Sequence, residues 1–164
     1  MSHEYIVILP LEPMSAAVRY PPGQPLPLHS TLMHWFTPSR ELGLVELNNA
    51  LSLLAYEVRE GEIELVSEFR DTTFGPNGDV PVHVLRRSNS LNLLHTKLLK
   101  FLCEKRSAPS ALHWVGAGYR PHVADVGEKM FLPRARRKVD HMVLIERDKD
   151  KNKIFKGTFR FGSP

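Results

Sequence analysis

The 164-residue chain predicts an α+β fold of two similar halves. Three observations predict it. Strand-like runs outnumber helical ones, each half contributes one amphipathic helix, and each half holds one strand-like run carrying a histidine. Those histidines, His29 and His122, lie 93 positions apart, about half the chain. The length suits one compact domain with a substantial core.

Each element has a local reason. Tyr5 to Leu9 is an apolar run closed by Pro10 and reads as a buried strand. Six prolines between positions 10 and 27 (Pro10, Pro13, Pro21, Pro22, Pro25, Pro27) remove backbone donors and fix φ, so this stretch is an irregular surface connection. Leu28 to Phe36 is bracketed by prolines and rich in β-branched and aromatic residues, the marks of a strand. Thr37-Pro38-Ser39 predicts a helix start, and Leu44, Leu47, Leu51, Leu54 and Val58 supply its apolar face. Glu60-Gly61 is its expected end. Ile63 to Arg70 alternates apolar and polar residues, a half-buried strand. Phe74 to Asp79 is a turn, and Val80 to Arg86 another strand. Ser88-Asn89-Ser90 caps a second helix with a Leu91, Leu94, Leu98, Phe101, Leu102 stripe, broken around Pro109. Trp114 to Asp125 holds the second histidine strand. Val139 to Arg147 and Lys153 to Phe161 form a hairpin around Asp148-Lys149-Asp150-Lys151-Asn152.

Composition narrows the function. No apolar run approaches the roughly 20 residues needed to span a bilayer, so no membrane is expected. The N-terminus lacks a basic region followed by a long apolar segment, and the single Cys103 has no partner for an internal disulfide, which together favour the cytoplasm. The net charge of +4 is compatible with an anionic ligand. Arg134, Arg136, Arg137 and Lys138 offer a polyanion such as RNA a landing site, or simply a solvated loop. No glycine-rich phosphate loop or serine nucleophile elbow is present. His83, His95, His113 and His141 show no ligand spacing with one another or with Cys103, so neither a metal nor a cofactor is called for. Nothing identifies a protein partner.

Alternation on a strand puts His29, Thr31, Met33 and Trp35 on one face and His34 on the other. In the second run His122 takes the place of His29 and Ala124 that of Thr31. Two imidazoles facing one pocket can act as base and acid on either side of a phosphorus atom, where attacking and leaving oxygens stand roughly in line. A threonine hydroxyl can hold a non-bridging phosphate oxygen.

His29-Ser30-Thr31-Leu32 and Pro121-His122-Val123-Ala124 resemble the paired His-x-Thr/Ser motifs of the two-histidine (2H) phosphoesterase superfamily, and within it the LigT-like, or 2′-5′ RNA ligase-like, group. The first strand, the helix after the first motif, the Leu91 to Leu102 helix and Tyr119-Arg120-Pro121-His122 also fall in that group's order. The resemblance implies one domain over residues 1–164, with two pseudo-symmetric lobes of antiparallel sheet around a central cleft. Their approximate bounds are 1–79 and 80–164, with strands free to exchange. It implies metal-independent opening of 2′,3′-cyclic phosphates, or action on 2′-5′ links, at an RNA end or nucleotide. His29, Thr31 and His122 would be catalytic, with the acid and base roles unassigned between the histidines.

The chain departs from that pattern at Ala124, where the second hydroxyl is missing, and at Asp125, where an apolar residue is usual. It is therefore read as a phosphoesterase, with a catalytically weakened RNA- or nucleotide-binding module as the alternative, and a purely structural role as a third. Arg120 shares the face of His122 and is expected to clamp a phosphate, ahead of the alternative that it pairs with a surface carboxylate. Tyr119 and Phe131 are candidates to stack on a base, with Trp35 more at home in the core. Arg134 and Arg136 complete the expected binding set.

Overall fold

The computed structural model describes residues 3–109 and 111–163. Nine strands and two α-helices occur among them: β1 (Glu4–Pro10), β2 (Arg19–Tyr20), β3 (His29–Phe36), α1 (Leu44–Glu57), β4 (Glu64–Phe74), β5 (Val80–Leu85), α2 (Asn89–Glu104), β6 (His122–Ala124), β7 (Arg136–Lys138), β8 (His141–Arg147) and β9 (Lys153–Arg160). The strands form one sheet in the order β2-β9-β8-β1-β3-β6-β5-β4-β7, antiparallel at every pairing. The fold is thus α+β, with pseudo-symmetric lobes joined where β3 meets β6. Flanking that junction, β1 answers to β5 and β8 to β4. The midpoint of the sequence does not divide the sheet. β4 lies with β5 and β6, while β8 and β9 lie with β1 and β3.

Both helices cover one face of the sheet, hereafter the rear. Leu47, Leu51 and Ala55 of α1 and Leu91, Leu94, Leu98 and Leu102 of α2 are buried in one large core with Val7, Leu9, Leu32, Met33 and Phe36. Ser88 caps α2 as expected, its hydroxyl accepting from the Leu91 N–H at 3.2 Å. The front face carries two smaller apolar clusters, one per lobe. One contains Ile6, Ile8, Val143 and Ile145, the other Phe74, Val82 and Val84. The β8–β9 hairpin turns on Asp148, whose carboxylate accepts the Asp150 and Asn152 N–H groups, both at 2.9 Å.

Three expectations need correction. α1 begins at Leu44 with Gly43 at its N-cap, not at Thr37-Pro38-Ser39. Those residues form a turn instead, because the Ser39 N–H is taken by the Ser107 hydroxyl (2.8 Å) and its carbonyl by Leu42 (3.1 Å). The helix also ends early: Val58 is already extended, and Gly61, at φ +75°, serves the following Arg59–Glu62 turn. Most of Trp114 to Asp125 is not strand. Two 3-10 turns, Leu112–Trp114 and Gly116–Gly118, precede a three-residue β6. Gly118 is required there, since a Cβ would lie 2.1 Å from the His113 carbonyl oxygen.

β3 is not a regular strand. Its pairing with β1 shifts register between Ile8↔Thr31 and Val7↔Met33, and again before Tyr5↔Phe36. Each shift inserts a residue into β3 and resets which way the following side chains point. Leu32 and Met33 both enter the rear core as a result. His34 and Trp35 emerge toward the front, half-buried, with Trp35 against the Ile6–Ile8 cluster.

Candidate active site

The centre of the front face is set by one backbone pairing, Ser30↔Val123, where β3 and β6 run antiparallel. Antiparallel geometry then sets Thr31 opposite His122 and His29 opposite Ala124, all four on the face away from Ser30 and Val123. Ser30 and Val123 are fully buried at the rear, whereas His29, Thr31, His122 and Ala124 are half-buried. The histidines are diagonal neighbours, a relation that puts their β-carbons about 7 Å apart.

Both rings are held alike. His29 Nδ1–H donates to the Pro27 carbonyl at 2.7 Å, and His122 Nδ1–H to the Arg120 carbonyl at 2.8 Å. A carbonyl can only accept, so Nδ1 carries the proton and Nε2 of each neutral ring carries a lone pair. The repeated bond to the residue two places earlier is the local expression of the pseudo-two-fold axis.

Burial favours the neutral form of both rings. Burial depresses the pKa of His29, and the neighbouring His122 and Lys153 add to this against the opposing Pro27 bond. Burial likewise depresses His122, with Arg120 adding to it against the bond to the Arg120 carbonyl. His122 lies close enough to His29 for its charge to add to the lowering of the His29 pKa.

The predicted residues divide into those the fold brings together and those it does not. His29, Thr31, His122 and Arg120 converge. The Arg120 guanidinium lies 5.3 Å from the centre of the Phe74 ring, which itself packs against His122 at 4.2 Å, and it reaches Asp71 at 3.9 Å. Tyr119 is not available to a base: only 5% exposed, its ring stacks on His95 at 3.9 Å and its hydroxyl donates to the Thr31 carbonyl at 3.3 Å. Its place is beneath the site, holding β3. Phe131 is 6% exposed and belongs to the rear core, because its apolar loop folds back on Leu11 and Leu28. Arg134 occupies an exposed turn with φ +60°. Arg136 sits on edge strand β7, paired with Glu64 at 3.8 Å, three strands from β6.

Three residues missed from the sequence also belong here. His34, expected on the far face, is turned to the front by the β3 bulges. It lies 6.1 Å from the Trp114 ring and is close enough to His122 and His113 for their charges to lower its pKa, which burial chiefly pushes to about 4. Phe74 packs on His122 from the end of β4. His95 of α2 is buried, donating through Nδ1 to the Leu32 carbonyl at 2.8 Å and accepting the Gly116 N–H at 2.9 Å. It ties the first motif strand to the loop that delivers the second. Only the apolar positions flanking His95 hinted at its burial.

Among the described residues no group of three or more His, Cys, Asp or Glu side chains is arranged to hold a metal, and no helix is long and apolar enough to cross a membrane. No family model and no curated protein matches the chain. Solved structures do. E. coli LigT complexed with 3′-AMP aligns at a TM-score of 0.56 and 16% identity, covering 99% of this chain and 100% of that one. The same protein complexed with NADP+ gives 0.53 and 17%, with 99% of each chain covered. A structure described as a phosphoesterase gives 0.55 and 17%, covering 99% and 100%. At these identities the likeness establishes a LigT-like fold along the chain.

Proposed function

We propose that this protein is a phosphoesterase that opens 2′,3′-cyclic phosphates, or cleaves 2′-5′ links, at the end of an RNA or nucleotide. The observation that carries the reading is the Ser30↔Val123 pairing, which sets two identically tethered imidazoles diagonally across one patch. One Nε2 takes a proton from water as its oxygen bonds to phosphorus. The other, as imidazolium, gives its Nε2 proton to the departing ribose oxygen, so the ring opens to a monoester. An anion between the rings favours the imidazolium that burial otherwise disfavours. Thr31 donates to a non-bridging oxygen, and Arg120 offsets phosphate charge. Because imidazoles fill both proton-transfer roles, the reaction runs without a metal. LigT-like neighbours solved with nucleotides support this class of ligand.

The test is hydrolysis of cyclic nucleotides and RNA ends with chelator present. His29→Ala and His122→Ala should each lose about 10²- to 10⁴-fold in rate. The pH profile of kcat/KM should be bell-shaped and centred below 6.5, since both histidines are depressed, and each variant should lose one limb. An active wild type whose variants keep full rate overturns the assignment.

Ala124 supports a second reading, an RNA- or nucleotide-binding module with weakened catalysis. Salt-sensitive RNA binding without turnover is its signature.

A further inference from the structure

A groove of about 400 Å³ opens on the front face beside His122, lined by Glu68, Phe69, Val84, Arg86, Arg87 and Arg120 among others. Strand register shows how it is built. His122 pairs with Val84, and Val84 with Phe69, so these three form a row across β6, β5 and β4 with their side chains on one face. Phe69 is 49% exposed, an uncovered aromatic ring two strands, or roughly 10 Å, from His122.

The next row is basic. The Leu85 N–H donates to the Pro121 carbonyl and the Arg86 N–H to the Val66 carbonyl, extending both ladders by one step. Arg120 and Arg86 are therefore side by side, followed by Val66 and then by Arg136, its partner on β7. The three arginines meet Asp71 (3.9 Å), Glu68 (3.4 Å) and Glu64 (3.8 Å), long and solvent-exposed pairs that bind these cations weakly. Arg87 makes no ion pair among the described residues. Lining up arginines on one face carries a repulsive cost that a polyanion relieves.

We propose that this groove holds the nucleotide next to the reacting phosphate, its base stacked on Phe69 and its backbone along Arg86 and Arg87, with Arg136 further along the same row on β7. The preferred ligand is then an RNA chain with several nucleotides, not a mononucleotide. The inference rests on the proposed phosphoesterase reading for where the reacting end sits. It differs in making the sheet from β6 to β7 a track for the rest of the strand.

The test compares a fluorescent short RNA ending in a 2′,3′-cyclic phosphate with the mononucleoside 2′,3′-cyclic phosphate, using the full chain and reading both binding and turnover. Phe69→Ala should weaken the short RNA about tenfold, the effect of losing one stacked base, and leave the mononucleotide within about twofold. Arg86→Ala with Arg87→Ala should reduce the salt dependence of RNA binding by about one unit of slope per arginine. Phe69 and both arginines are exposed, so these variants fold. Tight RNA binding that depends on Phe69 supports the groove even where no turnover is found, an outcome that would instead sink the phosphoesterase reading. Turnover of both ligands with no preference for the longer one, or variants that bind RNA as the wild type does, overturns the groove alone. Failure of the wild type to bind the RNA at all overturns it too.

Discussion

Ala124→Thr should raise the activity of this protein. The register sets residue 124 directly opposite His29, the position that matches Thr31 opposite His122 under the pseudo-two-fold axis. In the proposed reaction Thr31 supplies one hydroxyl to a phosphate between the rings, and its symmetry mate Ala124 has only a methyl group. A hydrogen bond to a charged group contributes about 1.5–3 kcal/mol. If that bond tightens as charge builds on the phosphoryl oxygens, the gain in kcat/KM is roughly ten- to hundredfold. The site is half-buried mid-strand beside Val82, where a β-branched residue is at home, so folding should not suffer. The assay is hydrolysis of a nucleoside 2′,3′-cyclic phosphate, with thermal unfolding as control. Thr31→Ala should lose a comparable factor, and combining it with Ala124→Thr should recover part of the loss. A stable Ala124→Thr protein with a rate within twofold of an active wild type refutes the placement of phosphate between the two motifs.

Two further outcomes concern the histidines around the site. His34 has its pKa lowered to about 4, below its unfolded value near 6.5, so the unfolded chain takes up the proton more readily. Its contribution to stability is complete above pH 6.5 and is lost as pH falls through that value toward 4. Denaturant melts should show His34→Gln cutting the stability loss between pH 7 and 4.5 by about 2.5 kcal/mol. An unchanged pH dependence contradicts the burial of a neutral His34 in the folded chain. His95→Ala removes one buried and one partly buried hydrogen bond and a stacked ring, and should cost about 3–5 kcal/mol of stability by chemical unfolding. A loss under about 1 kcal/mol would show that His95 does not tie β3 to the Gly116 loop.

The fold was largely legible because its signals are local. Proline brackets mark β3, a serine cap and a leucine stripe mark α2, and two strand-like runs around a charged turn mark the β8–β9 hairpin. What escaped depends on partners far along the chain. The Thr37-Pro38 segment carries a sound helix-start pattern, but Ser107, 68 residues beyond Ser39, claims the backbone that would have begun it. The β3 bulges arise from pairing with β1, and no spacing within residues 29–36 announces them, so His34 was assigned to the wrong face. At the candidate site, the two motifs point to His29, Thr31 and His122, and strand parity adds Arg120 to the His122 face. Tyr119 and Phe131 were misjudged for a common reason: aromatic rings beside a motif look like base platforms until packing shows them filling the rear core. Phe69 escaped notice because it sits in an ordinary alternating strand, and only cross-strand register connects it to His122.

The central claim is that His29 and His122 straddle a single phosphate. Imidazole NMR during titration with a nucleoside 2′- or 3′-monophosphate tests it most directly. The account predicts that the ring resonances of His29 and His122 shift together, with one dissociation constant at one equivalent, and that both pKa values rise on binding while buried His83 stays put. Movement of only one of the two rings, or two unrelated binding curves, would contradict it.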